Sequence, residues 1–470
     1  MEGILLSYWQ FWLLLAFALW ALLDRLLIPS IRWILRRRLN KLIHRVNQSL
    51  DIQIRPFQLT KRKVLLDRLV FDPQVMQAVD DYAKEKDIPR EVVQDKVKIY
   101  AQEIVPAFNA YIYYRVGYWI AKGLARWLYD VRVEVNNSRD LANIDPEATV
   151  VFVMNHRSNM DYILVSFLAS RRTTLSYAVG EWARIWPLQS LLKAMGAFFV
   201  RRNSRNELYR KVLERYISMA TKEGVCQAMF PEGGLSRDGK LRPPKLGLLD
   251  YMLRDFDYEK DRDVLFIPVG INYDRTLEDR TLLRSLDPDA QKKGGWFALK
   301  TTLKFWGHNF KLMWKHHWKN FGFAAVTFGS PISAKAFATK QHIDFATMEK
   351  DKRFEQIEEF SQQLFSAVAD VVPVLPISVI CRVFQLRPEE KLTRLTLKGK
   401  ALAMLERSRK NGAPDVIKKG QWDESLNEAI NMLLIRHLLI EKDGFLQMAT
   451  DQEQVIAYYG NSSAHWFNDI

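Results

Sequence analysis

The run Thr149-Val150-Val151-Phe152-Val153-Met154 leads into Asn155-His156-Arg157-Ser158-Asn159-Met160-Asp161, and this junction decides the fold class. Six consecutive apolar or β-branched residues predict a strand buried on both faces. Asp161–Ser170 then predicts a helix that opens on an acidic residue. The same alternation continues outward. Strand-like runs fall at Leu175–Val179, Ala197–Val200, Val225–Phe230, Val264–Asn272 and Phe323–Phe328. Helical patterns fit between several of them, at Trp186–Ala194, Arg205–Lys222 and Leu246–Arg254. Strand–helix alternation of this kind predicts an α/β layer with a mixed sheet flanked by helices. Ligands of such sheets bind where strand ends pass into helices, which makes those junctions the places to look for chemistry.

Outside this layer the chain divides into four expected regions: 1–50, 51–140, 141–335 and 336–470. The first is expected to be a membrane anchor. Ile4 to Leu23 carries no charge over 20 residues, and 20 helical residues span about 30 Å. Arg25, Arg32, Arg36, Arg37, Arg38, Lys41 and Arg45 follow it, whereas only Glu2 precedes it. A secretory signal carries its positive charge before the apolar core. Charge after the core instead places the bulk of the protein on the cytoplasmic side, at the inner or plasma membrane in a bacterium. A shallowly embedded helix has the same composition as a full span.

Residues 51–140 read as helical, with helices expected at Asp72–Tyr82 and Glu91–Ile104 and no clear strand alternation until the end. Val105–Asp130 interleaves Tyr111, Tyr118, Trp119 and Trp127 with Arg115, Lys122 and Arg126, a pattern that suits a helix in a headgroup layer or a core stripe. After Ser333 the alternation stops, and Lys350–Val371, Leu392–Arg407 and Glu424–Ile440 read as helices.

Composition narrows the chemistry. The 470 residues are 48% hydrophobic and 26% charged, ordinary for a folded protein. A net charge of +15 favours anionic partners: nucleic acid, an acidic membrane surface or phosphorylated substrates. Two cysteines, Cys226 and Cys381, exclude a disulfide framework and a Cys-rich metal site. No G-x-S-x-G elbow, P-loop, dinucleotide fingerprint or H-E-x-x-H is present. His308, His316 and His317 lie in a Trp- and Lys-rich segment better suited to a surface or membrane-facing helix than to a metal. No cofactor and no metal is expected.

Four blocks remain. His156 and Asp161 are five residues apart, which on an ideal helix would separate them by about 140°. At a strand-to-helix turn the carboxylate can fold back onto one ring nitrogen and leave the other as a base. Gly196-Ala197-Phe198-Phe199-Val200-Arg201-Arg202 places an arginine pair at a strand end, suited to a dianion. Phe230-Pro231-Glu232-Gly233-Gly234-Leu235-Ser236-Arg237 follows an apolar run, and Ser236, Arg237, Lys240, Arg242 and Lys245 supply phosphate donors. Phe266–Asn272 reads as a buried strand whose Pro268 suggests an irregular or edge position.

Together, and in this order, these blocks resemble the glycerolipid acyltransferase family, whose pattern is N-H-x-x-x-x-D, a Gly-aromatic-Arg block, F-x-E-G-x-R-S and a Pro-containing strand. The resemblance covers about Thr149 to Tyr273. Gly196–Arg202, the His156-Arg157-Ser158 triplet and Pro244–Gly247 look most like the glycerol-3-phosphate acyltransferase branch. One position departs from the family, which usually has Arg where this chain has Leu235; Arg201, Arg202 or Lys245 are candidates to replace it.

The resemblance implies a membrane-bound O-acyltransferase in phospholipid biosynthesis. His156 is the implied general base and Asp161 orients it. The implied substrate-binding residues are Arg157, Ser158, Gly196, Arg201, Arg202, Glu232, Gly233, Ser236, Arg237 and Lys245. The implied partners are an acyl-CoA or acyl-carrier-protein donor, a phosphorylated glycerol acceptor and membrane lipids. Glycerol 3-phosphate is the first acceptor to expect; lysophosphatidate and dihydroxyacetone phosphate are alternatives. A basic nucleic-acid binder or a membrane scaffold is the non-enzymatic alternative, and no nucleic-acid motif supports the former.

Overall fold

The computed structural model describes residues 7–23, 54–136, 140–141, 143–169, 173–180, 188–201, 204–284 and 321–467. It resolves into two units, residues 1–53 and 54–470. In the first, one helix is described, Tyr8–Leu22. Its 15 residues rise about 22 Å, less than the roughly 30 Å hydrocarbon core. Among the described residues no helix is long and apolar enough to cross a membrane. The expected span from Ile4 to Leu23 thus has a shorter described counterpart, and its basic flank from Arg25 to Arg45 lies outside the described residues. The helix has no polar stripe: Tyr8, Trp9, Phe11, Trp12, Phe17, Leu19 and Trp20 are all exposed.

The second unit is built on a mixed sheet of eight strands: β1 Asp130–Val135, β2 Thr149–Met154, β3 Ser176–Val179, β4 Ala197–Phe199, β5 Gln227–Met229, β6 Val264–Tyr273, β7 Phe323–Phe328 and β8 Ile332–Ser333. The order is β1-β7-β6-β2-β5-β3-β4, with β8 beside β6. Strands β6, β2, β5, β3 and β4 run parallel, and β7 meets β6 antiparallel. Every residue of β2 is buried, as its unbroken apolar run demands. β1 is the Asp-Val-Arg-Val-Glu-Val alternation that closes the otherwise helical stretch before it; it pairs with β7 at the edge of the sheet and is partly exposed.

Of the irregular or edge position expected of Pro268, the edge alternative is corrected and the irregular one is found. β6 is an interior strand, paired with β2 along Val264–Val269. The proline is tolerated because its other side is a changeover. β8 pairs with Leu265 and Phe266, and β7 takes over from Val269. The missing N–H falls near that break, while the Pro268 carbonyl accepts from Gly329 N at 2.9 Å.

Helices Arg62–Val70, Pro73–Lys86 and Arg90–Ile104 share one core with Glu207–Lys222, Gly247–Leu253 and Lys350–Ala369. A second core begins at Val374 and runs to Phe467. It holds helices Pro376–Leu386, Arg394–Lys410, Trp422–Ile435 and Glu453–Asn461. It also holds a two-stranded sheet, Leu439–Lys442 with Phe445–Met448, so the C-terminal region is not purely helical. The helix expected to reach Ile440 ends at Ile435, and His437 then takes a left-handed conformation that releases Leu439 and Ile440 into a strand.

Candidate active site

β2 delivers its last residue, Met154, to the C-terminal edge of the sheet. The next helix, Met160–Ala169, starts six residues later. Residues 155–159 therefore form a turn rather than the first turn of a helix. The Asn155 side chain locks its start to β6, accepting from Ile271 N at 2.7 Å and donating to Ile271 O at 2.8 Å. Asp161 closes the turn from the other end. It is fully buried, and Oδ2 accepts from Arg157 N at 2.7 Å and Ser158 N at 3.0 Å and lies 2.9 Å from His156 Nδ1. Tyr273, the last residue of β6, donates its hydroxyl to Oδ1 at 2.7 Å.

A carboxylate surrounded by donors fixes the imidazole tautomer: Nδ1 carries the proton and donates to Asp161. Nε2 is then the basic nitrogen. It is buried and has no hydrogen-bond partner among the described residues. Phe230 stacks on the ring at 4.0 Å between centroids and 25° between planes, and Tyr162 meets it edge-on at 5.4 Å. The ring is thus held by a stacked Phe230, by Tyr162, which also packs on Phe230 at 4.9 Å, and by Asp161 at its Nδ1 edge, with one nitrogen left for a ligand.

His156 lines a cavity of about 290 Å³. Arg201, Arg210 and Lys245 are the basic residues of its lining, with Gly233 beside Lys245. Val179, Val200, Leu213, Met229 and Leu248 are apolar members of the same lining. Arg201 is also held by Glu103, donating from Nε at 2.9 Å and Nη2 at 2.7 Å, and its guanidinium lies over the Tyr100 and Tyr209 rings. That hydrogen-bonded carboxylate raises its pKa and offsets part of its charge.

The loop after β5 supports the base from behind. Glu232 accepts from His156 N at 2.8 Å and Arg242 N at 3.1 Å. Burial pushes its carboxyl up to about 7, partly opposed by those two N–H groups. Ser236 N donates to His156 O at 2.9 Å, while its hydroxyl donates to Lys240 O at 2.7 Å. Glu232 and Ser236 therefore grip the backbone on either side of the base.

Of the residues singled out in the sequence, His156, Arg201, Gly233 and Lys245 line the cavity. Asp161, Glu232 and Ser236 brace it. Ser158 is buried and donates to Glu278 Oε2 at 2.7 Å, away from the cavity lining. Arg157 is buried and donates to Gly239 O at 2.5 Å. Gly196 lines a different cavity, with Phe57, Phe108 and Tyr216. Arg237 is exposed and is not part of the lining. Arg202 lies outside the described residues, as do His308, His316 and His317. Sequence reasoning missed Tyr273, Phe230, Arg210 and Glu278 as site residues. A tyrosine at the end of a buried strand was a visible signal; Glu278, about 120 residues from the serine it binds, carried none.

Residues 132–272 match the family model Acyltransferase. Residues 307–469 match the model Glycerol-3-phosphate acyltransferase C-terminal region. Two separate segments of the chain thus match acyltransferase models. Among curated proteins it is 32% identical over 299 residues to a glycerol-3-phosphate acyltransferase of Pseudomonas entomophila, covering 63% of this chain and 34% of that one. It is 30% identical over 319 residues to the glycerol-3-phosphate acyltransferase of Pseudoalteromonas atlantica, covering 66% of this chain and 37% of the relative. The match thus spans little more than a third of these relatives' length. A solved structure of a 1-acyl-sn-glycerophosphate acyltransferase from Thermotoga maritima aligns with 65% of this chain and 97% of its own, at 16% identity. Its TM-score is 0.29, too low to carry an argument.

Proposed function

We propose that this acyltransferase moves a fatty acyl group from a thioester donor to a hydroxyl of glycerol 3-phosphate at a membrane surface. The observation that carries the reading is His156 Nε2: unpartnered among the described residues, on a ring fixed by Asp161, in a residue that lines a cavity containing both basic and apolar side chains. The matched relatives, named glycerol-3-phosphate acyltransferases, support the choice of acceptor.

The chemistry follows from the groups in place. A neutral hydroxyl is a weak nucleophile near neutral pH and needs a base. Nε2 takes the hydroxyl proton as the oxygen attacks the thioester carbonyl. The C–O bond forms, the C–S bond breaks, and the proton passes from Nε2 to the departing sulfur. Asp161 stabilises the imidazolium formed between these steps. Lys245 and Arg210 attract the acceptor phosphate, and Arg201, already paired with Glu103, adds a weaker share. The apolar lining residues receive the start of the acyl chain. Either acyl-CoA or acyl-carrier protein suits a +15 chain as donor.

Membrane attachment is part of the proposal. The apolar helix Tyr8–Leu22 is suited to insert, and a second surface is suited to lie in the headgroup layer. There Trp119, Ile120 and Trp127 are exposed on the stretch Ile112–Leu128, beside Arg115, Lys122 and Arg126.

The test is acyl transfer from palmitoyl-CoA to radiolabelled glycerol 3-phosphate by the full chain in phospholipid vesicles, read as label in the organic phase. Wild type should transfer label, and His156→Ala should lower kcat about 10²–10⁴-fold while remaining folded. Equal turnover by the variant would remove His156 as the base, and no transfer by the wild type to glycerol 3-phosphate would overturn the acceptor.

A further inference from the structure

We infer that the helix Glu453–Asn461 is a positioning element of the active site and that Tyr458 is its principal positioning residue. This rests on the reading of His156 as the base. Tyr458 lies just over 300 residues from His156 in sequence, yet three independent contacts join its helix to the loops that hold the base.

The first contact is a stack. The Arg157 guanidinium sits 4.9 Å from the centroid of the fully buried Tyr458 ring. Arg157 is itself buried, and its Nη1 donates to Gly239 O at 2.5 Å. Its backbone N–H meanwhile donates to Asp161 Oδ2. One residue therefore links the base-orienting carboxylate, the loop after β5 and the C-terminal helix.

The second contact is made by backbone. Gly239 has φ +87°, and a Cβ there would lie 1.9 Å from Tyr458 O. The loop passes the helix at a distance that only glycine allows. Beside it, Asn461 Nδ2 donates to Asp238 O at 2.9 Å. Asn461 is held in turn by Gln385 Nε2 at 2.8 Å, from the helix Pro376–Leu386.

The third contact reaches the loop after β6. Tyr459 donates its hydroxyl to Asp279 Oδ2 at 2.6 Å and accepts from Thr276 N at 3.2 Å. Arg436 also pairs with Asp279. Immediately before Asp279, Glu278 takes the Ser158 hydroxyl and both Asn159 nitrogens. The turn at 155–159 is thus held between two loops, and one helix holds both. A base must be held to within a fraction of an ångström of its productive position, so slack in either loop lowers turnover more than binding.

Full-length Tyr458→Leu, Tyr458→Phe and Asn461→Ala test this by two readouts: acyl-transfer kinetics, and amide hydrogen exchange over residues 231–245 and 155–161. Tyr458→Leu should lower kcat about tenfold or more, leave both KM values within about threefold, and speed exchange in both segments. Tyr458→Phe should restore wild-type values, because the ring carries the stack and the hydroxyl makes one contact, to Thr276 Oγ1 at 3.4 Å. Asn461→Ala should speed exchange over 231–245 with a smaller loss of kcat. A folded Tyr458→Leu with wild-type kcat and exchange would overturn the inference. Where that variant does not fold, unchanged exchange and kcat in Asn461→Ala would overturn it. A wild type that transfers no acyl group would sink the functional reading instead, and exchange would still decide the tether.

Discussion

Asp161 shows how much of the site rests on single atoms. Each of its oxygens accepts from groups that the fold brings together, and the Tyr273 hydroxyl arrives 112 residues later in the chain. A hydrogen bond to a carboxylate contributes about 1.5–3 kcal/mol. Tyr273→Phe should therefore slow acyl transfer about tenfold with KM nearly unchanged, measured by steady-state kinetics. Glu232 makes a pH prediction. Its folded-state carboxyl is pushed up to about 7 from an ordinary 4.5. Below about pH 4.5 it is neutral whether folded or unfolded. As pH rises toward 7 the unfolded chain ionises first, so stability falls across that window and levels off above it. Denaturant unfolding from pH 4.5 to 7.5 should show this fall, and Glu232→Gln should flatten it. Asp274, also raised to about 7 by burial, keeps a share of the slope in the variant.

At the scale of elements, the patterns that were longest and least ambiguous in sequence are those the structure reproduces. β2 and β7 have the bounds expected, because an apolar run flanked by polar residues has few alternatives. The two-stranded sheet at Leu439–Met448 escaped notice because Leu438, Leu439 and Ile440 continue the apolar spacing of the helix before them. Periodicity does not record a change of backbone conformation at His437. Pro268 left two alternatives, irregular or edge, and only the changeover between β8 and β7, which is not a local feature, selects the first. β6 supplies a second constraint of this kind. Gly270 lies against residues 371–372, and a Cβ would sit 2.0 Å from Val371 O. Gly270→Ala should destabilise the protein by about 1–3 kcal/mol or more, seen as a lower thermal midpoint.

For the whole molecule, two cores meet around the sheet. The first gathers helices from residue 57 onward together with Phe360 and Val368. The second gathers residues from Val374 to Phe467 with Phe323 and Ala325 of β7. The membrane proposal is tested at this scale. Removing residues 1–53 should shift the protein from the membrane to the soluble fraction on sedimentation. Continued sedimentation with vesicles would assign attachment to the Trp119–Trp127 surface instead.

The order of strands and helices, the turn carrying His156 and Asp161, and the basic character of the loop after β5 were all legible in the chain, because each is a local pattern of polarity over a few residues. Which arginines face the cavity was not. Arg201 lines it and is paired with Glu103, Arg157 points to Tyr458, and Arg237 stays exposed, although all three look alike in sequence. Tertiary packing decided their fates, because a guanidinium on a flexible stem takes its place from partners far away along the chain. The placement of Tyr273, Glu278 and Tyr458 around the base followed from the same closure of distant segments, and no spacing rule encodes it.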